Sequence, residues 1–104
     1  MYAITFDLDA DTLRNIYHLD AFCDAYMEIE KVLVGEYEFT KHHQSSVYFG
    51  GTSVNAVTCV LAVQDLTNRF AWFGASAKKI SMLRVEDCND LMPVVQQSRR
   101  VKLA

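Results

Sequence analysis

The chain has little that would loosen or cross-link a fold, with four glycines, one proline and three cysteines among 104 residues. Because glycine and proline are so few, the composition excludes a disordered linker or a low-complexity segment. No internal repeat is present. No apolar run approaches the roughly 20 residues that a membrane-spanning helix requires. The first residues also lack the basic and long apolar regions of a signal peptide. We therefore expect a cytoplasmic protein without membrane contact.

The three cysteines are odd in number, and their spacing matches no metal-binding pattern. They are Cys23, Cys59 and Cys88, and the first two lie within helical apolar patterns. Free cysteine behaves as a small apolar residue and stays reduced in the cytoplasm. The sequence therefore predicts buried thiols, with neither a disulfide framework nor a metal site.

The excess of one sign of charge is also small, because the net charge is only −3. A chain of this charge has no general attraction for nucleic acid, so any contact with RNA requires a local basic patch. The composition is 51% hydrophobic and 22% charged, in a chain of 11.8 kDa. Such a chain buries roughly 65% of its unfolded surface, which suffices for one compact domain.

An apolar strand leads from the first residues into acids at positions 7, 9 and 11. If this strand continues to Asp9, its period of two places Asp7 and Asp9 on the same face. Two neighbouring carboxylates either share a proton or hold a hard cation such as Mg²⁺ through oxygen ligands. The alternative is that Asp9 and Asp11 are turn or capping residues that bind nearby backbone N–H groups.

The remaining elements are predicted from hydrophobic periodicity and from capping and turn residues. A connector over 13–19 precedes a helix that Asp20 caps and that runs to about Tyr37. A hairpin then pairs 39–42 with 46–49. A second helix, capped by Thr52 or Ser53, runs to about Phe70, and a strand covers 79–86. Pro93 limits the last part of the chain to a short helix start or an extended edge.

The predicted order is strand, helix, strand, strand, helix, strand, which is the α+β ferredoxin-like split βαβ (βαββαβ) arrangement. Its sheet is antiparallel, with helices on one face and the first and third strands side by side at the centre. The other face is bare, and the second helix is apolar over more than one stripe. Both features predict a homodimer or a larger homo-oligomer.

Several segments together resemble the virulence-associated protein D (VapD) family. They are MYAITFDLD at 1–9, SVYFG at 46–50, VNAVT at 54–58, AVQDL at 62–66, WF at 72–73, MLR at 82–84 and NDLMP at 89–93. The resemblance covers residues 1–96, whereas a basic extension at 97–104 departs from the family's usual ending. It implies a bacterial cytoplasmic endoribonuclease that forms a homodimer, similar to the small CRISPR-adaptation nuclease-like proteins and in some members a toxin.

The resemblance places Asp7 at the position of the acid that the related nucleases use at the end of the first strand. We expect Asp7 and Asp9 to be catalytic and Asp7 to be the ligand of any Mg²⁺. The expected RNA-binding residues are basic or aromatic, and they are Arg14, Lys41, Tyr48 and Arg84, together with Lys78, Lys79 and Trp72.

Three of these assignments have alternatives. Tyr48 and Trp72 are also suited to core packing, and Arg84 is suited to pairing with Asp7 or Glu86. His42 and His43 lie at the predicted hairpin, where one of them could transfer a proton or both could be solvated polar residues.

These features lead to one functional hypothesis and one rival. The first is a toxin-type endoribonuclease that cleaves single-stranded or loop RNA by metal-assisted or acid/base chemistry. The rival is a non-catalytic homodimeric scaffold that binds an antitoxin protein or nucleic acid.

Overall fold

The structure is a computed structural model that describes residues 1–20, 24–41, 46–86 and 89–103. For Lys41 and residues 100–103 it describes only the backbone. The elements are, in chain order, β1 (Tyr2–Leu8), α1 (Ala10–Asn15), α2 (Tyr26–Glu36), β2 (Phe39–Lys41), β3 (Val47–Gly50), α3 (Ala56–Arg69), α4 (Ala71–Ser76), β4 (Ala77–Arg84) and α5 (Met92–Leu103).

The four strands form one sheet in the order β2-β3-β1-β4, and every neighbouring pair is antiparallel. Ala3 lies opposite Phe49 of β3 and opposite Leu83 of β4, so the first strand of the chain sits inside the sheet. The predicted ferredoxin-like α+β fold is confirmed, including the central pairing of the first and third strands.

The two faces of β1 differ in what covers them. Ile4, Phe6 and Leu8 are buried on one face, where they join a core built with side chains of α1, α2, α3 and α4, among them Leu13, Ile29, Leu33, Leu66 and Phe73. Alternation places Ala3, Thr5 and Asp7 on the opposite face. We call this second face the open face, because α1–α4 all pack on the first.

Short helices and their caps differ from the sequence-based expectations. Residues 10–15 form α1 where a connector was expected, because the Asp9 side chain accepts a hydrogen bond from the Asp11 amide and caps the helix. The second long helix starts at Ala56, and its cap is Asn55, which exchanges hydrogen bonds with Thr58. Neither Thr52 nor Ser53 is the cap. Residues 71–76 form α4, a short helix that the sequence pattern around Trp72-Phe73-Gly74 does not predict.

The carboxyl-terminal helix α5 is longer than Pro93 led us to expect. The Asp90 carboxylate accepts a hydrogen bond from the Met92 amide at 2.9 Å and caps the helix start. Pro93 then lies in the first turn, where its missing N–H needs no partner. The helix runs to Leu103 and crosses Gln97 without interruption, so the basic extension continues a helix that begins within the family-like region.

Helix α5 also projects from the rest of the molecule, since every described side chain from 91 to 99 is exposed. The radius of gyration is 16.5 Å, whereas a compact chain of this length has a radius of about 13 Å. The extents of 54 × 34 × 21 Å show the same elongation.

Two of the expectations drawn from composition can be compared with the structure. Cys59 is a buried free thiol, and burial raises its pKa, as expected of a core cysteine. Cys23 and Cys88 lie outside the described residues. Within the described part of the chain, no helix combines the length and apolar character needed to span a bilayer.

A polar cluster ties the ends of α2 and α3 together. The Arg69 guanidinium donates two hydrogen bonds to Glu36, at 2.6 and 2.7 Å, and one to Asp65 at 2.8 Å. The Tyr37 hydroxyl donates to the other Asp65 oxygen at 2.7 Å. Arg69 lowers the pKa of Glu36, and Tyr37 and Arg69 together lower the pKa of Asp65. The cluster is therefore held by its two ionised carboxylates.

We expect Arg69→Gln to unfold at a lower temperature near pH 7, with a difference from wild type that shrinks as the pH falls. Because folding lowers both carboxyl pKa values, their stabilising effect is complete above the ordinary values near 4 and is lost as pH falls through the lowered folded values. Circular dichroism melts from pH 7 to pH 2.5 measure this. The control is Arg14→Gln, whose exposed contact with Asp11 spans 3.9 Å. A difference that does not depend on pH would contradict the assigned cause.

Candidate active site

The site begins with an irregularity at the end of β1. Asp7 pairs with Lys79 of β4, but the next residue, Leu8, pairs with Ala77, so Lys78 is an extra residue in the ladder. Such a bulge bends the strand and changes the direction of nearby side chains. Asp7 and Lys79 are both exposed, and they are cross-strand neighbours on the open face. An acidic and a basic residue are thus backbone partners at the exposed surface of the sheet.

Asp9 has a different environment from Asp7, because the strand ends at Leu8. One Asp9 oxygen accepts from the Asp11 amide at 3.2 Å, and the other accepts from the Thr12 hydroxyl at 2.9 Å. The Asp9 amide donates to the Ser76 carbonyl at 2.6 Å. The Asp9 carboxylate is therefore the cap of α1, which was the alternative to a shared cation site. The joint catalytic role of Asp7 and Asp9 stays a prediction.

Basic residues of β4 surround these acids. The Thr12 hydroxyl lowers the pKa of Asp9 most, and the Asp11 amide and the positive charge of Lys78 lower it further. Lys78 thus acts on Asp9, while Lys79 lies across from Asp7. Arg14 is exposed in the last turn of α1, which follows directly from Asp9. These three cations form a basic rim around the end of β1.

Tyr26 is a neighbour of Asp7 that sequence reasoning assigned only to an apolar helix stripe. Burial raises the pKa of its hydroxyl, a backbone hydrogen bond with Leu8 opposes this effect, and the negative charge of Asp7 raises the pKa further. The first residue of α2 thus reaches the end of β1. A tyrosine within an apolar stripe gives no sequence signal that distinguishes this position from ordinary packing.

The residues fit a weakly held cation better than a dedicated metal cage. Among the described residues, no group of three or more histidine, cysteine or acidic side chains is placed to hold a metal. Mg²⁺ usually binds through one or two carboxylates together with substrate phosphates. Asp7 is an exposed carboxylate, whereas both Asp9 oxygens already accept hydrogen bonds.

The two aromatic residues expected to contact RNA lie on the side of the sheet that the helices cover. Tyr48 is fully buried opposite Ile4, and its ring packs edge to face on Phe6. An RNA base cannot stack on Tyr48 without opening the core, so we assign it to packing. Trp72 is half-buried and stacks on Phe70 with a centroid separation of 4.9 Å. Tyr48 and Trp72 are therefore both packing residues, as their alternative assignment predicts.

Arg84 lies at the far end of the sheet from the acids. It pairs with Tyr2, five residues before Asp7 along β1, which corresponds to a separation of about 17 Å. Arg84 therefore cannot pair with Asp7 as suggested from the sequence. Lys79 has that place, and Arg84 is an exposed residue remote from Asp7.

The hairpin leaves from the end of the sheet that carries Asp7. The Phe6 amide donates to the Ser46 carbonyl at 3.2 Å, and Lys41 pairs with Tyr48 near the end of β2. Ser46 is thus next to the strand end that carries Asp7, whereas Lys41 is two strands away at the level of Ile4. His42 and His43 lie outside the described residues, so their expected role in proton transfer stays a prediction.

The chain resembles three proteins named as VapD endoribonucleases over nearly its whole length. It is 42% identical over 95 residues to "Endoribonuclease VapD 2" of Riemerella anatipestifer, an alignment that covers 91% of this chain and 99% of the relative. It is 42% identical over 97 residues to "Endoribonuclease VapD homolog" of Helicobacter pylori, with 92% and 97% covered. It is 36% identical over 98 residues to "Endoribonuclease VapD" of Dichelobacter nodosus, with 92% and 98% covered. No family model matches the chain.

Proposed function

The chain belongs to the VapD family, and we propose that, like the relatives named above, it is an endoribonuclease, one that cleaves single-stranded or loop RNA in the bacterial cytoplasm. The observation that carries this proposal is the placement of Asp7 on the open face of the sheet, exposed and directly across from Lys79. Together they supply a proton acceptor and a cation for one phosphodiester group.

In the proposed reaction, Asp7 accepts the proton of the RNA 2′-hydroxyl as its oxygen attacks the adjacent phosphorus. The bond from phosphorus to the 5′-oxygen breaks, and the leaving 5′-oxygen takes a proton from water, which leaves a 2′,3′-cyclic phosphate and a free 5′-hydroxyl. Lys79 neutralises charge on the phosphate oxygens. Lys78 and Arg14 hold neighbouring phosphates, because both are exposed on elements that adjoin the end of β1. If Mg²⁺ is bound, Asp7 would hold it, and the ion would supply further positive charge at the phosphate.

The preference for unpaired RNA rests on the shape and charge of the site. Unpaired bases are free to contact an exposed sheet surface such as the open face, whereas the bases of a duplex are held inside the paired helix. The basic rim has three cations in a chain of net charge −3, so RNA binding should be local and sensitive to salt.

We propose a homodimer because the open face carries apolar side chains that α1–α4 do not cover. Val47 and Phe49 are half-buried and Leu83 is 44% exposed on this face. A second copy would cover them and would bring two Asp7 side chains towards a shared cleft. The finer biological proposal is a toxin-type regulator of bacterial RNA that an antitoxin protein opposes.

A labelled RNA hairpin tests the reaction and its preference together. We expect the purified protein to cut within the loop and to leave the paired stem intact, as mapped by gel electrophoresis of products labelled at either end. Addition of EDTA and then of Mg²⁺ shows whether a divalent cation contributes. Binding of the hairpin without any cleavage would favour the non-catalytic scaffold over the nuclease.

A further inference from the structure

We propose that α5 of one copy docks into the groove between α3 and β4 of a second copy, and that the exchange is reciprocal. The proposal rests on the homodimer proposed above and adds a second contact to it, on the face of the sheet that the helices cover. It also identifies the residues that each copy contributes to the contact.

The groove lies on the side of the sheet that the helices cover, where α3 leaves the edge strand β4 partly uncovered. It has a volume of about 280 Å³, and its lining is largely apolar, with contributions from Cys59, Val60, Val63, Ile80 and Met82. Val60 and Met82 are 51% and 46% exposed. Along its rim, α3 presents an exposed stripe whose spacing of three and four residues is that of a helix-packing surface, made by Val57, Val60, Leu61 and Gln64.

Helix α5 has a matching feature at its amino-terminal end. Leu91, Val94 and Val95 follow the spacing i, i+3 and i+4, and Met92 adjoins them. These four apolar side chains are between 46% and 67% exposed. Each of the two surfaces is thus an apolar helix stripe without cover, as helix-on-helix packing requires.

The projection of α5 favours a second copy as the occupant of the groove. A helix of 12 residues is marginal in water without a packing partner. In this chain, α5 extends away from the body, and its described side chains are all exposed. The partner that stabilises it must therefore come from outside the protomer, and a second copy carries the complementary groove.

The area available agrees with a stable dimer. Eight half-exposed apolar side chains would bury on the order of 700 Å² at one contact, and they are Val57, Val60, Leu61 and Met82 at the groove and Leu91, Met92, Val94 and Val95 at α5. A reciprocal exchange makes this contact twice and closes a symmetric pair. The total approaches the roughly 1,600 Å² of a standard specific interface.

Two single substitutions test the contact, one on each surface. Val60→Asp places a charge in the groove, and Val95→Asp places one on α5. Both valines are about half-exposed, at 51% and 46%, so each variant should fold. The control is Val34→Asp, at a 43% exposed valine of α2 remote from both surfaces. Circular dichroism establishes folding, and light scattering across a concentration series measures mass.

Wild type and Val34→Asp should have twice the chain mass of 11.8 kDa. Val60→Asp and Val95→Asp should each dissociate at least tenfold more readily, because a buried unpaired charge abolishes a contact. An equal mixture of the two variants should regain part of the dimer, because α5 of the Val60→Asp chain and the groove of the Val95→Asp chain form one intact contact, whereas the second contact carries both charges.

The alternative results overturn different parts of the proposal. A mixture that stays monomeric, or single variants that dimerise as the control does, would reject docking of α5 into this groove while leaving a homodimer through another surface. A monomeric wild type would reject the homodimer itself. RNA cleavage by that monomer would still support the nuclease.

Discussion

Replacing Asp7 with asparagine is expected to slow RNA cleavage by roughly 100-fold or more, the range typical for loss of a general base or metal ligand. The amide keeps the shape of the side chain and removes its negative charge. Asp7 is exposed on the open face and outside the hydrophobic core, so the fold should not depend on it. Initial rates on a loop RNA, with circular dichroism and mass as checks, measure the effect.

Two other aspartates serve as matched controls for Asp7. Asp11→Asn removes an exposed carboxylate from the first turn of α1 and should leave the rate within a few-fold of wild type. Asp9→Asn keeps an oxygen able to cap α1, so its loss of activity should be smaller than that of Asp7→Asn. A comparable loss at Asp9 would instead indicate that both carboxylates hold one cation.

The same variant separates the toxin role from the nuclease activity in cells. Expression of the wild-type protein should slow bacterial growth, and expression of Asp7→Asn at the same level should not. Normal growth with an active nuclease would reject the toxin role alone. If purified Asp7→Asn cleaves RNA as fast as wild type, Asp7 is not catalytic and the scaffold hypothesis gains support.

Phe6→Ala should destabilise the protein by about 3–5 kcal/mol, as expected for removal of a buried aromatic ring. The Phe6 side chain is 3% exposed, and its ring centroid lies 5.8 Å from that of Tyr48 and 5.7 Å from that of Phe73. Domains of this size are stable by about 5–15 kcal/mol, so the variant should be largely unfolded at elevated temperature. Urea unfolding followed by fluorescence and circular dichroism measures the change.

Phe6→Leu is the control for this core position. Leucine retains most of the buried apolar surface but loses both edge-to-face contacts, so it should cost about 1–2 kcal/mol. Its RNA cleavage should match that of wild type, because Phe6 faces the core whereas Asp7 faces the other side of the sheet. If Phe6→Ala loses no more unfolding free energy than Phe6→Leu, the surrounding core must close around the missing ring.

The long elements and their order could be predicted from the sequence, because each carries a sustained period or a turn that ends it. The first strand, the hairpin and α3 illustrate this. The six-residue helices α1 and α4 are too short to show a period, and their starts depend on local hydrogen bonds. Helix α5 is longer than the sequence predicts, because Pro93 lies in the first turn, where proline does not interrupt a helix.

Asp7 could be placed at the candidate site from the sequence, but its neighbours could not. Lys79 lies beside it only because β4 pairs with β1 in one particular register, and no local pattern specifies that register. Tyr48 shows the same limit. Alternation separates the faces of a strand, but only the pairing with Ile4 determines that Tyr48 faces the core.

The central position of β1 affects the order in which the protein can fold during synthesis. The first strand to be made pairs with Val47–Gly50, near the middle of the chain, and with Ala77–Arg84, so its second neighbour is absent until most of the chain has been translated. Contacts so distant in sequence slow folding, because a long loop must close before they form. Asp7 and Lys79 therefore meet only after residue 79 has left the ribosome. We expect a nascent chain to lack nuclease activity until its last strand joins the sheet.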